Sequence, residues 1–244
     1  MVKGGRKWRV SPGAARRLRV LAATAALAAL VVLVAPVGAS PSFAAPRCPK
    51  ASPGIEIDVG LDPGAVAYDK GKSKKTLTKM AAGPGVAGSQ AGTRFGLTRS
   101  AYSEQIKIGV RSEEIGDGWR CHRLSSISAR IEISELSVYV ARELPSGTCA
   151  YKAVLEHEAR HVSILRDTLR DYLPAYEKAL RRAAEGIDPI ADKARKIPGD
   201  RFFRHLKTGL KPVLAELSET LKKRQKAIDT PEEYRRVHQL CREW

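Results

Sequence analysis

The stretch Val154-Leu155-Glu156-His157-Glu158-Ala159-Arg160-His161-Val162 contains the spacing His-Glu-x-x-His. On a helix, residues four apart lie one turn above each other, so the imidazoles of His157 and His161 can reach a single ion. Neutral imidazole nitrogen suits zinc, which is tetrahedral and in hydrolytic sites leaves one position for water. Glu158 need not be a ligand. Its carboxylate is placed to take the proton of that water as it attacks a carbonyl, and then to return it to the leaving amine. The helix is legible around the motif. Tyr151, Leu155, Glu158, Val162, Leu165, Leu169 and Tyr172 recur at spacings of three and four, which describes one helical face. Glu158 therefore falls on the apolar stripe, where a carboxylate without a partner is costly to desolvate. A buried Glu–His or Glu–Arg pair would satisfy that burial without a metal, but it would not require a second histidine one turn away.

The elements that must position this helix divide the chain in two. Residues 45–149 are rich in Gly, Pro and Ser and carry short alternating runs. Ile55-Glu56-Ile57-Asp58-Val59 and Ile106-Lys107-Ile108-Gly109-Val110 alternate strictly, and Ala129–Ile133 and Leu136–Ala141 are β-branched or aromatic enough for strands. Within residues 70–100 the Gly- and Ser-rich pieces predict a mobile loop. From Cys149 onward the pattern is helical. Pro174 kinks or ends the first helix, a further helical stretch runs to about Glu185, and Gly186 and Pro189 stop it. A second helix fits 201–228, with Leu206, Leu210, Leu214, Leu217 and Leu221 inward. Asp229-Thr230-Pro231-Glu232-Glu233 reads as a new helix start with a capping side chain, an early proline and acids against the dipole. Strands first and helices afterwards predict an α+β fold: an antiparallel sheet, a long His-Glu-x-x-His helix and C-terminal helices, in one domain over 45–244.

The amino terminus reads as an address. Residues 1–44 carry seven of the 43 basic residues and no acidic one, so a good part of the net charge of +17 belongs there. The apolar run from Val20 to Ala35, followed by small residues at Ser42 and Ala44, predicts a signal peptide cleaved near Ala45. The expected product is periplasmic or extracellular, with no stable membrane anchor after cleavage. Export makes two disulfides the expected state of the four cysteines, and no Cys-x-x-Cys pair supports a thiolate zinc site. Cys121 and Cys149 flank the two strands Ala129–Ile133 and Leu136–Ala141, so a two-strand excursion would return the chain near its start. That predicts Cys121–Cys149 and, by remainder, Cys48–Cys241.

The run Cys149-Ala-Tyr-Lys-Ala-Val-Leu-Glu-His-Glu-Ala-Arg-His resembles the active-site helix of zincin metallopeptidases. More closely, it is similar to the exported bacterial zincin-like proteins grouped as domain of unknown function 922, over roughly Cys121 to Cys241. The resemblance implies zinc-dependent peptide hydrolysis with Glu158 as general base, and names no substrate. The third ligand is less plain. The late pattern of that family, Tyr-Asp-x-x-Thr-x-His-Gly, is met here by Ile228-Asp229-Thr230-Pro231-Glu232-Glu233-Tyr234, which matches it at Asp229 and departs elsewhere. Asp229 is the leading candidate, although it reads equally as a helix cap. Glu233 is the reserve one turn on, and Tyr234 is then a candidate donor to a developing oxyanion. Glu177, sixteen residues after His161, stands at a gluzincin-like spacing. If the helix only kinks at Pro174, its rise puts Glu177 about 24 Å away.

Three classes of function stay open on these residues: a zinc metallopeptidase acting on a peptide or protein, a zincin-like envelope binding protein with a structural or vestigial metal, and a helical adaptor using its basic surface on anionic polymers. Lys70–Lys79 and Lys222-Lys223-Arg224 are basic runs, but aromatic content is only 6%, with no interleaved stacking residues, so specific nucleic-acid recognition is poorly supported. His122, His205 and His238 are isolated and read as surface or packed histidines.

Overall fold

Asp117 and Gly118 form the pivot of the sheet. In the computed structural model both have positive φ, 50° and 74°, the backbone of the two-residue turn whose twist matches that of paired strands. The turn joins β3 (Gly96–Gly116) to β4 (Trp119–Val140), a hairpin of 21 and 22 residues with register shifts at Ala101/Tyr102 and Gly109/Val110. The other elements are β1 (Glu56–Asp62), β2 (Ala67–Asp69), α1 (Lys74–Ala81), α2 (Cys149–Glu185), β5 (Ile190–Asp192), α3 (Gly199–Ala227) and α4 (Pro231–Gln239). The structure describes residues 46–49, 54–82, 93–193 and 197–244. The expected signal peptide and most of the Gly- and Ser-rich stretch lie outside the described residues.

β4 is the central strand. β3 pairs with it antiparallel along one edge, while β1 and β2 pair parallel and β5 antiparallel along the other. The fold is thus mixed α/β, and the expected antiparallel sheet is corrected to a mixed one. Alternation in a short run marks a half-buried strand but carries no direction. Ala129–Ile133 and Leu136–Ala141, expected as two strands, both fall on β4 up to Val140, with Ser134 and Glu135 continuing the strand between them. Leu136–Val140 is accordingly internal, between β2 and β3.

The cysteine pairing changes with it. The disulfides are Cys48–Cys121 and Cys149–Cys241, with Cα separations of 5.5 and 5.8 Å, in place of Cys121–Cys149 and Cys48–Cys241. A continuous strand advancing about 3.3 Å per residue carries Cys149 far from Cys121, so the two cannot meet. Two disulfides are compatible with export into an oxidising compartment. Among the described residues, no helix is long and apolar enough to cross a membrane.

α2 starts at Thr148, whose hydroxyl accepts from Tyr151 N, and continues through Pro174 to Glu185. Its Val162, Leu165, Leu169, Tyr176 and Leu180 pack against Ile127, Ala129, Ile131 and Ile133 of β4 and Phe202, Leu206, Leu210 and Leu217 of α3. Full burial of such side chains is worth about 1.5–3 kcal/mol each. α3 returns antiparallel to α2: Gly209 faces Ala183, Tyr172 bonds Thr220, and Arg224 reaches Thr168 and Asp171. On the opposite side of β3, Leu77 and Ala81 of α1 cover Leu97 and Ala141.

Non-reducing peptide mapping should recover Cys48–Cys121 and Cys149–Cys241. Removing the second bridge as Cys149→Ser with Cys241→Ser should cost about 2–4 kcal/mol of stability in denaturant titration, because it closes a long loop. A recovered Cys121–Cys149 peptide would overturn the arrangement of β4.

Candidate metal centre

α2 presents His157, Glu158 and His161 from its first half, all buried. Apolar neighbours at Val154 and Val162 keep this segment against the sheet while the two imidazoles turn toward the returning end of α3. Asp229 arrives in the short link between α3 and α4. The cap of α4 is Thr230, whose hydroxyl accepts from Glu233 N, so Asp229 is not spent on capping and its carboxylate faces the histidines.

His157 Nε2 and His161 Nε2 are 3.3 Å apart, and Asp229 Oδ1 lies 3.5 Å from the first and 3.4 Å from the second. One donor atom from each of the three residues lies within 4.8 Å of the others, the only such group found among the described residues. A tetrahedron with bonds of about 2.0–2.1 Å has edges of roughly 3.3 Å, so the triangle has the dimensions a zinc-sized ion requires. Its chemistry points the same way. Three electron-rich atoms facing one another need either hydrogens on the ring nitrogens or a metal ion between them. In the protonated case, burial works against a charged His161, but the hydrogen bond to Asp229 and the Glu158 charge outweigh it and raise its pKa. Burial likewise pushes against the Asp229 carboxylate, yet its bonds to His157 and His161 hold it at about 2.

The side chains behind the triangle orient it. Gln225 of α3 donates Nε2 to His161 O at 3.0 Å and turns Oε1 toward His161 Nδ1 at 2.5 Å. With the amide fixed that way round, Nδ1 carries the hydrogen and the Nε2 lone pair points at the centre. Glu233 stands behind His157, Oε1 to Nδ1 at 3.6 Å, beyond hydrogen-bond length. It is held there by Arg160 and Arg236, which keep its pKa at about 2, Arg236 contributing most. Glu233 is thus placed behind a ring instead of among the three donors. Tyr234 donates to Asp229 Oδ1 at 2.5 Å, and Arg94 donates to the Tyr234 oxygen while lying over its ring at 4.8 Å. The proton of Tyr234 is directed to Asp229 in this structure. Glu177 is not brought in: it lies past Pro174 on the same continuous helix, half-exposed, and pairs with Arg181 at 3.0 Å. The helix runs on through Pro174 without the reversal that Glu177 would have needed.

Glu158 is outside the triangle and beside it. Thr98 of β3 donates to its Oε2 at 2.8 Å and to its backbone oxygen at 3.2 Å. Burial raises the pKa of this carboxyl, opposed by the His161 and His157 charges and by the Thr98 bond. Gly96 explains how β3 comes so close: a Cβ there would stand 2.6 Å from Val154 Cγ1 and closer still to Glu158 Oε1. Glu158, His161 and Asp229 share the wall of a cavity of about 740 Å³ with Gly96–Tyr102 of β3 and the end of α3. Gly96, Thr98, Gln225 and Arg94 were not singled out from the sequence. Gly96, a glycine opening a strand, is the one with a readable signal, that of close backbone approach.

Gly96→Ala should drive Glu158 and Val154 out of place and cost about 1–3 kcal/mol, the usual cost of overpacking. Thr98→Val, which removes the donor from a buried carboxyl, should cost about 1–3 kcal/mol as well. Thermal or denaturant unfolding reads both, and two neutral substitutions would remove β3 from the support of Glu158. Comparison of the chain with protein-family models, with curated proteins and with solved structures finds no match.

Proposed function

We propose that this chain is an exported, zincin-like zinc peptidase. The observation that carries the reading is the meeting of His157, His161 and Asp229 at tetrahedral-edge spacing, with a second, non-ligand acid, Glu158, in the wall of the adjoining cavity. A purely structural site has no use for a carboxylate beside its open position. Zinc held by the three residues would supply a Lewis acid and lower the pKa of a bound water.

The chain's own residues would do the rest. Thr98 occupies Oε2 of Glu158, which leaves Oε1 to accept the proton of the attacking water and then deliver it to the departing amide nitrogen. Burial makes this carboxyl a stronger base than an exposed one. Gln225 holds His161 in the tautomer that keeps Nε2 free for the ion, and Tyr234, backed by Arg94, holds Asp229. A peptide is favoured as substrate by β3. Over Gly96–Tyr102 it has a strand partner on one edge only among the described residues, and its other edge borders the cavity. An extended peptide can pair with such an edge through its main chain. Export is supported by the basic-then-apolar pattern of residues 1–44 and by the two disulfides.

Metal analysis of the purified chain should give one zinc per molecule. His157→Ala, His161→Ala and Asp229→Ala should each lose it, while Glu177→Ala keeps it. Glu158→Gln should retain the zinc and lower cleavage of a mixed peptide library by at least about 10². Full zinc in all three ligand variants would sink the metal assignment, and unchanged cleavage by Glu158→Gln would remove Glu158 from the chemistry.

A further inference from the structure

The cavity beside the histidine pair has two walls, Gly96–Tyr102 of β3 and Ser218–Gln225 of α3. Set aside Glu158 and Asp229, which belong to the proposed chemistry, and Arg94, which is engaged by Tyr234. The charged side chains that remain are Arg99 on one wall, Lys222 on the other, and Glu135. Arg99 Nε stands 3.9 Å from Glu135 Oε1, beyond hydrogen-bond length, with both side chains nearly half exposed, so Glu135 only partly offsets it. Lys222 is exposed and has neither an ion pair nor a hydrogen bond among the described residues. The free part of the cavity is therefore cationic on both walls. A guanidinium in that setting can still take a carboxylate bidentately.

We infer that this cavity selects peptides carrying an acidic side chain, with Arg99 as the group that holds it and Lys222 adding to the positive field from the facing wall. The inference rests on the peptidase reading above and supplies its substrate class. The register gives the position. Arg99 lies three residues along β3 from Gly96, which touches Glu158. A paired peptide advancing about 3.3 Å per residue therefore brings its acidic residue to Arg99 about two to four residues from the scissile bond. Each contact is partly exposed, so each should contribute no more than about fivefold in preference, and a basic side chain at that position should be disfavoured by a similar factor.

The test uses the full mature chain with zinc and internally quenched peptides bearing Glu, Ala or Lys at each position around one scissile bond. At one position, kcat/KM should rank Glu over Ala over Lys, with about tenfold between the extremes. Arg99→Glu with Lys222→Glu should reverse that order, and Glu135→Gln should widen it. Equal rates for the three peptides at every position, or an order that survives the double charge reversal, would overturn the inference. A second readout separates its failure from that of the peptidase reading. Anisotropy titration of the Glu158→Gln protein with the same peptides, labelled, should show the same ranking in Kd and the same reversal. Charge-ranked binding without any cleavage by the unsubstituted chain would sink the peptidase and keep the acidic preference. Cleavage without charge ranking would do the opposite.

Discussion

Two ring nitrogens and a carboxylate oxygen face one another within 3.5 Å, the rings buried and the carboxylate partly so, and hydrogens on the rings or a cation must stand between them. The arrangement of the helices follows from meeting that requirement. His157 and His161 come together through helical spacing alone, but Asp229 lies far along the chain and must be returned. α3 does this by running antiparallel to α2, seated by Tyr172 on Thr220 and by Arg224 on Thr168 and Asp171. The Cys149–Cys241 bridge then ties the first residue of α2 to the segment just after α4, and so fences the link that carries Asp229 between two fixed points. Within that frame Gln225 sets one ring, and Thr230 takes over capping so that Asp229 is available.

Much of the helical half was legible because its signals are local. The apolar stripe of α2, the two histidines one turn apart, and the Thr-Pro-Glu-Glu start of α4 each depend on neighbours within a few residues. Asp229 could be nominated but not distinguished from a cap, since capping and ligation ask for the same side chain in the same kind of turn. The structure gives the capping role to Thr230, one residue on. The sheet was less legible for the converse reason. Strand direction, the fusion of Ala129–Ile133 with the segment after it, and the pairing of the cysteines are all long-range facts, and an error in the first two produced the error in the third. One local cue was overlooked: Asp117-Gly118 between alternating runs is a strong hairpin signal, and it would have joined β3 to β4 directly. The partners Arg94 and Gln225 had no signal at all, because neither residue type nor spacing distinguishes them from other polar residues on their elements.

The site also has to reconcile two opposed demands on Glu158. As the proposed base it should be desolvated, and to act on a bound molecule it must face open space. An ordinary strand packed over α2 would satisfy the first and block the second. Gly96 removes the conflict: with no Cβ, the β3 backbone passes directly against the carboxylate and Val154, so the acid is covered by main chain instead of by a side chain. Two residues further on, Thr98 supplies the one hydrogen bond the buried group needs. The same close approach brings the edge of β3 that has no strand partner among the described residues to the wall of the cavity that Glu158 shares with His161 and Asp229. On the proposed reading, burial of the base and access for an extended chain thus come from one stretch of backbone, which is why the supporting residues lie on β3 and not on the helix that carries the motif.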